Sequence, residues 1–247
     1  MDPAYPIDPR DAVASPRRRA AAAAIAILLP VLSFAAVAGA VERPFGLGGT
    51  HSSAAPRAAI AIRDDVIAFQ KWGTRSFALP ALERGYDRVW YFTETGDPDV
   101  RRAFAAAVDE ACTSYASVDL FLLAHGNRYV DQVAALGPER TGALRLVYNT
   151  GCGDADQSER WLAIGADAYV AHVGVSQSPV FFVYFLRRWV SGARLGDAVD
   201  AANARAARVL AIVGWVALSP ADSEAMVADS TAVCAGAGGL TIGSGVP

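Results

Sequence analysis

Two stretches decide the fold: "VDLFLLAHG", residues 118–126, and "LRLVYNTGCG", residues 144–153. Each is a mostly apolar run that gives way to a turn containing glycine. A strand apolar along its whole length is buried on both faces, which is the pattern of a parallel sheet covered by helices. The first run ends on His125-Gly126 and the second on Gly151-Cys152-Gly153. Between them lies "NRYVDQVAALGPERTGA", residues 127–143, which holds a short helix and a Gly-Pro turn. That suits a crossover between neighbouring parallel strands.

The same rhythm continues on either side. Further strands are expected at "DVIAFQ" (65–70), "RVWYFT" (88–93) and "AYVAHVGV" (168–175). A short helix is expected around Arg75 to Glu83, interrupted near Pro80. Asp97 can cap a helix whose first turn holds Pro98, with Val100, Phe104, Ala107, Val108, Ala111 and Cys112 on one face. A short helix around Gln157 to Ile164 follows the second decisive run. "VFFVYFLRRWV" (180–190) reads as an apolar helix. Leu195, Val199, Ala202, Ala206, Val209 and Val213 trace a longer amphipathic one. Strands alternating with helices predict an α/β three-layer sandwich, with a mainly parallel sheet flanked by helices, over residues 63–234. Residues 41–62 read as a linker and 235–247 as a glycine-rich tail of loop.

The chain has 247 residues, with 53% hydrophobic and 19% charged side chains, which is a globular composition with enough length for a sizeable core. The net charge of −3 and the lack of a basic stripe argue against a nucleic-acid partner. Arg17, Arg18 and Arg19 precede an uncharged run from Ala20 to Ala40 that closes on Ala38-Gly39-Ala40. This is the layout of an export signal. The run is also about the roughly 20 residues that span a bilayer, so membrane anchoring through residues 20–40 is the alternative. Both place the domain after Val41 outside the cytoplasm, whether periplasmic, secreted or membrane-anchored.

Three cysteines in an exported chain leave one unpaired. The economical arrangement pairs Cys112 with Cys234 and frees Cys152. In a parallel α/β sheet, sites form where strands run out at their carboxyl ends. His125 and Cys152 stand at two such ends. An imidazole can take the proton of a thiol, stabilise the thiolate and then protonate a leaving amine. Backbone N–H groups around Gly126, Gly151 and Gly153, with that of Cys152, are candidate oxyanion donors. Asp154 and Asp156 are candidates for receiving a basic substrate side chain; the competing explanation is acidic residues at a helix start. Ser176 and Gln177, in the loop "VGVSQSP" (173–179), are candidates for contacting a substrate backbone. No metal or organic cofactor is required by this chemistry, and the residues lack the paired spacing of a structural zinc site. His172 reads as a satisfied core or rim residue.

An apolar strand ending in His-Gly, then an apolar strand ending in Cys, resembles the caspase–gingipain group of cysteine peptidases. "FLLAHG" and "LVYNTGC" carry the likeness, and "GADAYVAHVGV" with "WVSGARLGDAVDAANARA" extends it, so that it covers about residues 65–213. The Gly-Cys pair is most similar to the gingipain-like and CHAT-like branches. The resemblance implies His125 as general base and Cys152 as nucleophile, acting on a protein or peptide substrate. Leu123-Ala124 and Thr150-Gly151 stand where many relatives carry other residues. An inactive domain of this fold, binding peptide or protein partners at the cell envelope, would keep the same strand ends. A serine hydrolase of the α/β type is disfavoured because no Gly-x-Ser-x-Gly elbow occurs.

Overall fold

The computed structural model describes residues 55–64, 74–94, 97–123, 129–217 and 220–244. Six strands form one sheet: β1 (Arg57–Asp64), β2 (Arg88–Glu94), β3 (Ser117–Leu123), β4 (Leu144–Asn149), β5 (Ala168–His172) and β6 (Ala232–Gly236). Their order is β2-β1-β3-β4-β5-β6. All neighbours run parallel except β5 and β6, which are antiparallel.

The helices are α1 (Leu79–Gly85), α2 (Pro98–Ser114), α3 (Val130–Ala134), α4 (Pro138–Thr141), α5 (Ser158–Ala163), α6 (Ser178–Val190), α7 (Leu195–Ala217) and α8 (Pro220–Asp229). A π-helical turn, Thr74–Ala78, leads into α1, and a 3-10 turn, Asp154–Gln157, leads into α5. Pro80 sits in the first turn of α1, at its junction with the π-helical turn, where the sequence predicts an interruption.

Residues alternate along each strand between two cores. Ala59, Ala61, Phe121, Leu146, Tyr148 and Val170 face α1, α6 and α7, where Phe181, Phe185 and Trp189 lie. Ile60, Ile62, Leu120, Leu122 and Val147 face α2, α3 and α5, where Phe104, Val133 and Trp161 lie. Both faces of the sheet are thus covered, and the fold is the three-layer α/β sandwich that the unbroken apolar runs imply. α2 begins as expected: the Asp97 carboxylate accepts the N–H of Asp99 at 2.9 Å. Phe104, Ala107, Val108 and Ala111 form its buried stripe.

Four details differ from the sequence expectation. The first strand is "RAAIAIRD", inside and just past the stretch read as linker, while residues 65–70 lie outside the described residues. The glycine-rich tail is not all loop. Its start belongs to β6, and Leu240 and Ile242 are buried beyond it. α8 was not anticipated. The pairing of Cys112 with Cys234 is overturned: both are free thiols. Cys112 packs with the core on the α2 side and Cys234 with the core on the α6 side, so the sheet itself separates them. The proposed signal or anchor, residues 1–40, lies outside the described residues. Among those that are described, no helix is long and apolar enough to cross a membrane.

The amino-terminal edge of the sheet carries a buried polar cluster. Arg145, on β4, is completely buried and binds both carboxylate oxygens of Asp119 on β3, at 2.9 and 2.6 Å. Its remaining donor reaches the carbonyls of Thr241, Ile242 and Ser244 at 3.2, 3.0 and 2.6 Å. Arg57 donates to the Ile242 carbonyl as well, at 2.8 Å. Tyr86 donates to Asp119 at 2.5 Å and accepts from the indole of Trp189 at 2.7 Å. Residues 240–244 are therefore strapped to the amino-terminal ends of β1 and β4.

Candidate functional site

Strands β3 and β4 lie side by side in parallel, with Leu122 opposite Asn149. Their carboxyl ends therefore open at the same edge of the sheet. β3 stops at Leu123, two residues before His125; His125 and Gly126 themselves lie outside the described residues. The far end of that segment is tied down at Tyr129, which is buried and donates to Glu94 at the end of β2 at 2.9 Å. Glu94 also receives the Arg101 guanidinium at 3.2 Å. Nothing in the sequence motif pointed to this Glu94–Tyr129 contact, because it joins residues 35 positions apart.

Cys152 is exposed and unpaired on the turn directly after β4. The turn is built by its neighbours. Asn149 Oδ1 accepts the N–H of Gly151 at 2.9 Å. Thr150 returns to β3 through the Leu122 carbonyl, at 2.9 Å from its N–H. Gly153 adopts a φ of 72°, in the left-handed region that other residues reach only at a cost, and its N–H donates to the Gly174 carbonyl at 2.9 Å. The loop after β5 then passes the thiol: the N–H of Ser176 donates to Cys152 Sγ at 3.4 Å.

The oxyanion expectation needs correction at two residues. The N–H groups of Gly151 and Gly153 are both engaged, the first by Asn149 and the second by Gly174. Neither is free to receive a developing oxyanion. The Cys152 N–H has no partner among the described residues, so it is the donor left on this turn.

Asp154 also departs from expectation. It is 6% exposed, with its carboxylate turned in beneath Gly151 instead of outward. Oδ1 is bonded by the Gln157 amide, and Oδ2 is buried without a hydrogen-bond partner among the described residues. Burial pushes its carboxyl up to about 6; the Asn149 and Gln157 amides oppose that rise and Asp156 adds to it. A carboxylate in this setting is not offered to a basic substrate side chain. A side chain at position 151 would collide with it, since an added Cβ would overlap Oδ2 and lie 2.7 Å from Cγ. Asp156 is exposed on the 3-10 turn.

Gln177 does not reach Cys152 through its backbone. Its N–H donates to Ser230 Oγ at 3.0 Å, which pins the loop to the end of α8. Ser230 in turn holds His172. The carbonyl of Ser230 accepts from His172 Nδ1 at 2.7 Å, so Nε2 is the acceptor for Tyr148 Oη at 3.2 Å. His172 is fully buried among aromatic rings, and burial pulls its pKa down to about 4, against the opposing effect of the Ser230 carbonyl. It is a neutral core histidine, as its place in the strand suggests.

The other two thiols are partly buried. Burial, with help from Asp109, pushes Cys112 up to about 12, and burial with Asp200 raises Cys234. Among the described residues, no group of three or more His, Cys, Asp or Glu side chains converges as metal ligands would. The fold and this strand-end geometry define the class of molecule: a doubly covered parallel sheet with an exposed thiol at the carboxyl edge of a central strand. Comparison with known proteins finds no matching family model, no matching curated protein and no matching solved structure.

Proposed function

We propose that the chain is a cysteine peptidase of the caspase–gingipain type, with Cys152 as nucleophile and His125 as general base. The observation that carries this is the exposed, unpaired Cys152 at the end of β4, receiving the Ser176 N–H, next to the strand that leads into His125. A non-catalytic relative has no need to keep this thiol exposed and hydrogen-bonded by backbone. The chemistry is a two-step acyl transfer. The Cys152 thiolate adds to the carbonyl carbon of a peptide bond. The C–N bond breaks as the His125 imidazolium gives its proton to the leaving amine. Water, giving a proton to His125, then adds to the thioester; the carboxylic acid departs and the thiol is restored. The Cys152 N–H is the candidate oxyanion donor, with Gly126 N–H as the second. Substrates are proteins or peptides. With residues 20–40 as signal or anchor, they are met outside the cytoplasm.

The test is alkylation of the full-length protein by iodoacetamide from about pH 5 to about pH 9, with modified cysteines assigned by mass spectrometry. Cys152 is expected to react well below the ordinary thiol pKa of about 8.5, and His125→Ala to remove that reactivity. Equal rates in the two proteins would sink the dyad. A binding domain at the cell envelope would then be the reading left standing.

A further inference from the structure

The stretch that passes the nucleophile on the β5 side carries two exposed apolar side chains. Among the described residues, four large hydrophobic side chains are strongly exposed: Val173, Val175, Ile212 and Val233. Two of the four sit in the short stretch 173–177 that passes Cys152, and these two are 50% and 58% exposed. The peptide unit joining Val175 to Ser176 is the one that donates to Cys152 Sγ. Val175 is thus a direct neighbour of the thiol.

This stretch is a fixed platform. Val173 N–H donates to the Thr231 carbonyl at 3.1 Å and Gly174 N–H to the Asp229 carbonyl at 2.8 Å. Gly174 C=O accepts from Gly153, Ser176 N–H meets Sγ, and Gln177 N–H meets Ser230 Oγ. With its backbone bonded on both sides, the loop cannot fold its valines inward. They remain in water until a ligand covers them, and covering apolar surface is favourable. The acidic groups nearby are placed differently. Asp154 is buried beneath Gly151. Asp229 packs against Gly174, where an added Cβ would lie 2.8 Å from its Cγ. Asp156 alone is an exposed acid on the nucleophile's own turn.

Building on the peptidase reading of this site, we propose that Val173 and Val175 are specificity-determining residues that select a bulky apolar side chain, such as phenylalanine or leucine, in the substrate residue whose carbonyl Cys152 attacks. Apolar side chains adjoining the scissile bond would be held against this stretch, and an arginine would find no acidic partner on it. Selection by apolar contact of this size is worth on the order of tenfold to a hundredfold.

The experiment compares two chloromethyl ketones with the same blocking group, one built on phenylalanine and one on arginine. Each forms a thioether with Cys152 and releases chloride, and the readout is the ratio of their second-order rates on the full-length protein. The phenylalanine reagent is expected to react at least about tenfold faster, and Val173→Ser/Val175→Ser to bring the ratio close to one. A ratio at or below one in the wild type overturns the proposal, as does a ratio the double substitution leaves unchanged. The variant is first matched to the wild type in thermal midpoint and circular dichroism, because an unfolded fraction would itself bring the ratio toward one. The ratio is read whatever the absolute reactivity of Cys152. Failure of the dyad, seen as iodoacetamide rates insensitive to His125→Ala, is therefore a separate result.

Discussion

Acid should act on this protein through His172, and the size of the effect follows from its burial. The ring is fully buried and neutral, with its pKa drawn down from 6.5 to about 4. The unfolded chain therefore binds a proton between those values that the folded chain refuses. Stability from this residue is fully present above the unfolded pKa and is lost as pH falls toward the folded one. At 1.36 kcal/mol per unit of pKa, the loss reaches about 3 kcal/mol by pH 4. Asp154 works in the opposite sense. Its carboxyl is raised from 3.8 to about 6, so the folded state holds the proton more tightly, and the molecule gains stability as pH falls through 6. That gain is roughly 2 kcal/mol, since the carboxylate lies under a surface turn and is partly screened. The two oppose each other in the wild type, leaving a net loss of roughly 1 kcal/mol. The informative comparison is Asp154→Asn against Asp154→Asn/His172→Gln, by urea unfolding at fixed pH values from 7 to 4. With the opposing carboxyl removed from both, the protein that keeps His172 should lose about 3 kcal/mol more over that range. Parallel pH profiles would refute the argument, because they would mean that His172 protonates in the folded state as easily as in the unfolded one.

Three further outcomes are expected. Gly151→Ala should destabilise by roughly 1–3 kcal/mol through overlap with Asp154, and adding Asp154→Ala should recover most of the lost thermal midpoint. Arg145→Met leaves the Asp119 carboxylate buried with a single hydrogen-bond partner, Tyr86, and should cost about 3–5 kcal/mol in urea unfolding. Because all three cysteines are free, a thiol reductant should leave the thermal midpoint unchanged; a drop would reveal a disulfide.

How far the sequence could be read depended on whether the decisive partner was local. β3 and β4 announce themselves because both faces of each are apolar, and α2 because its cap and its stripe are written within one segment. β1 was hidden by alanine, which carries little strand preference and is common throughout this chain. Arg145 is a charged residue inside a mostly apolar strand. Its role depends on carbonyls nearly a hundred residues away, which no local pattern reveals. The site divides in the same way. The exposed thiol at a strand end was legible, as was the loop that borders it. That the Gly151 and Gly153 N–H groups are already engaged, and that Asp154 turns inward, are facts of three-dimensional packing around one turn.

The strap of residues 240–244 also sets an order of events in time. Arg145 is extracted from water with its donors shared between Asp119 and the carbonyls of Thr241, Ile242 and Ser244. While α6 or α7 is still being translated, those carbonyls do not yet exist, and closing the sheet would leave Arg145 Nη1 in the core without an acceptor. The strands β1 to β4 can collapse early, but their final seal waits for residues 240–244 to emerge. At the opposite edge, the loop beside the nucleophile is held by Asp229, Ser230 and Thr231, so it is completed only after synthesis has passed residue 231.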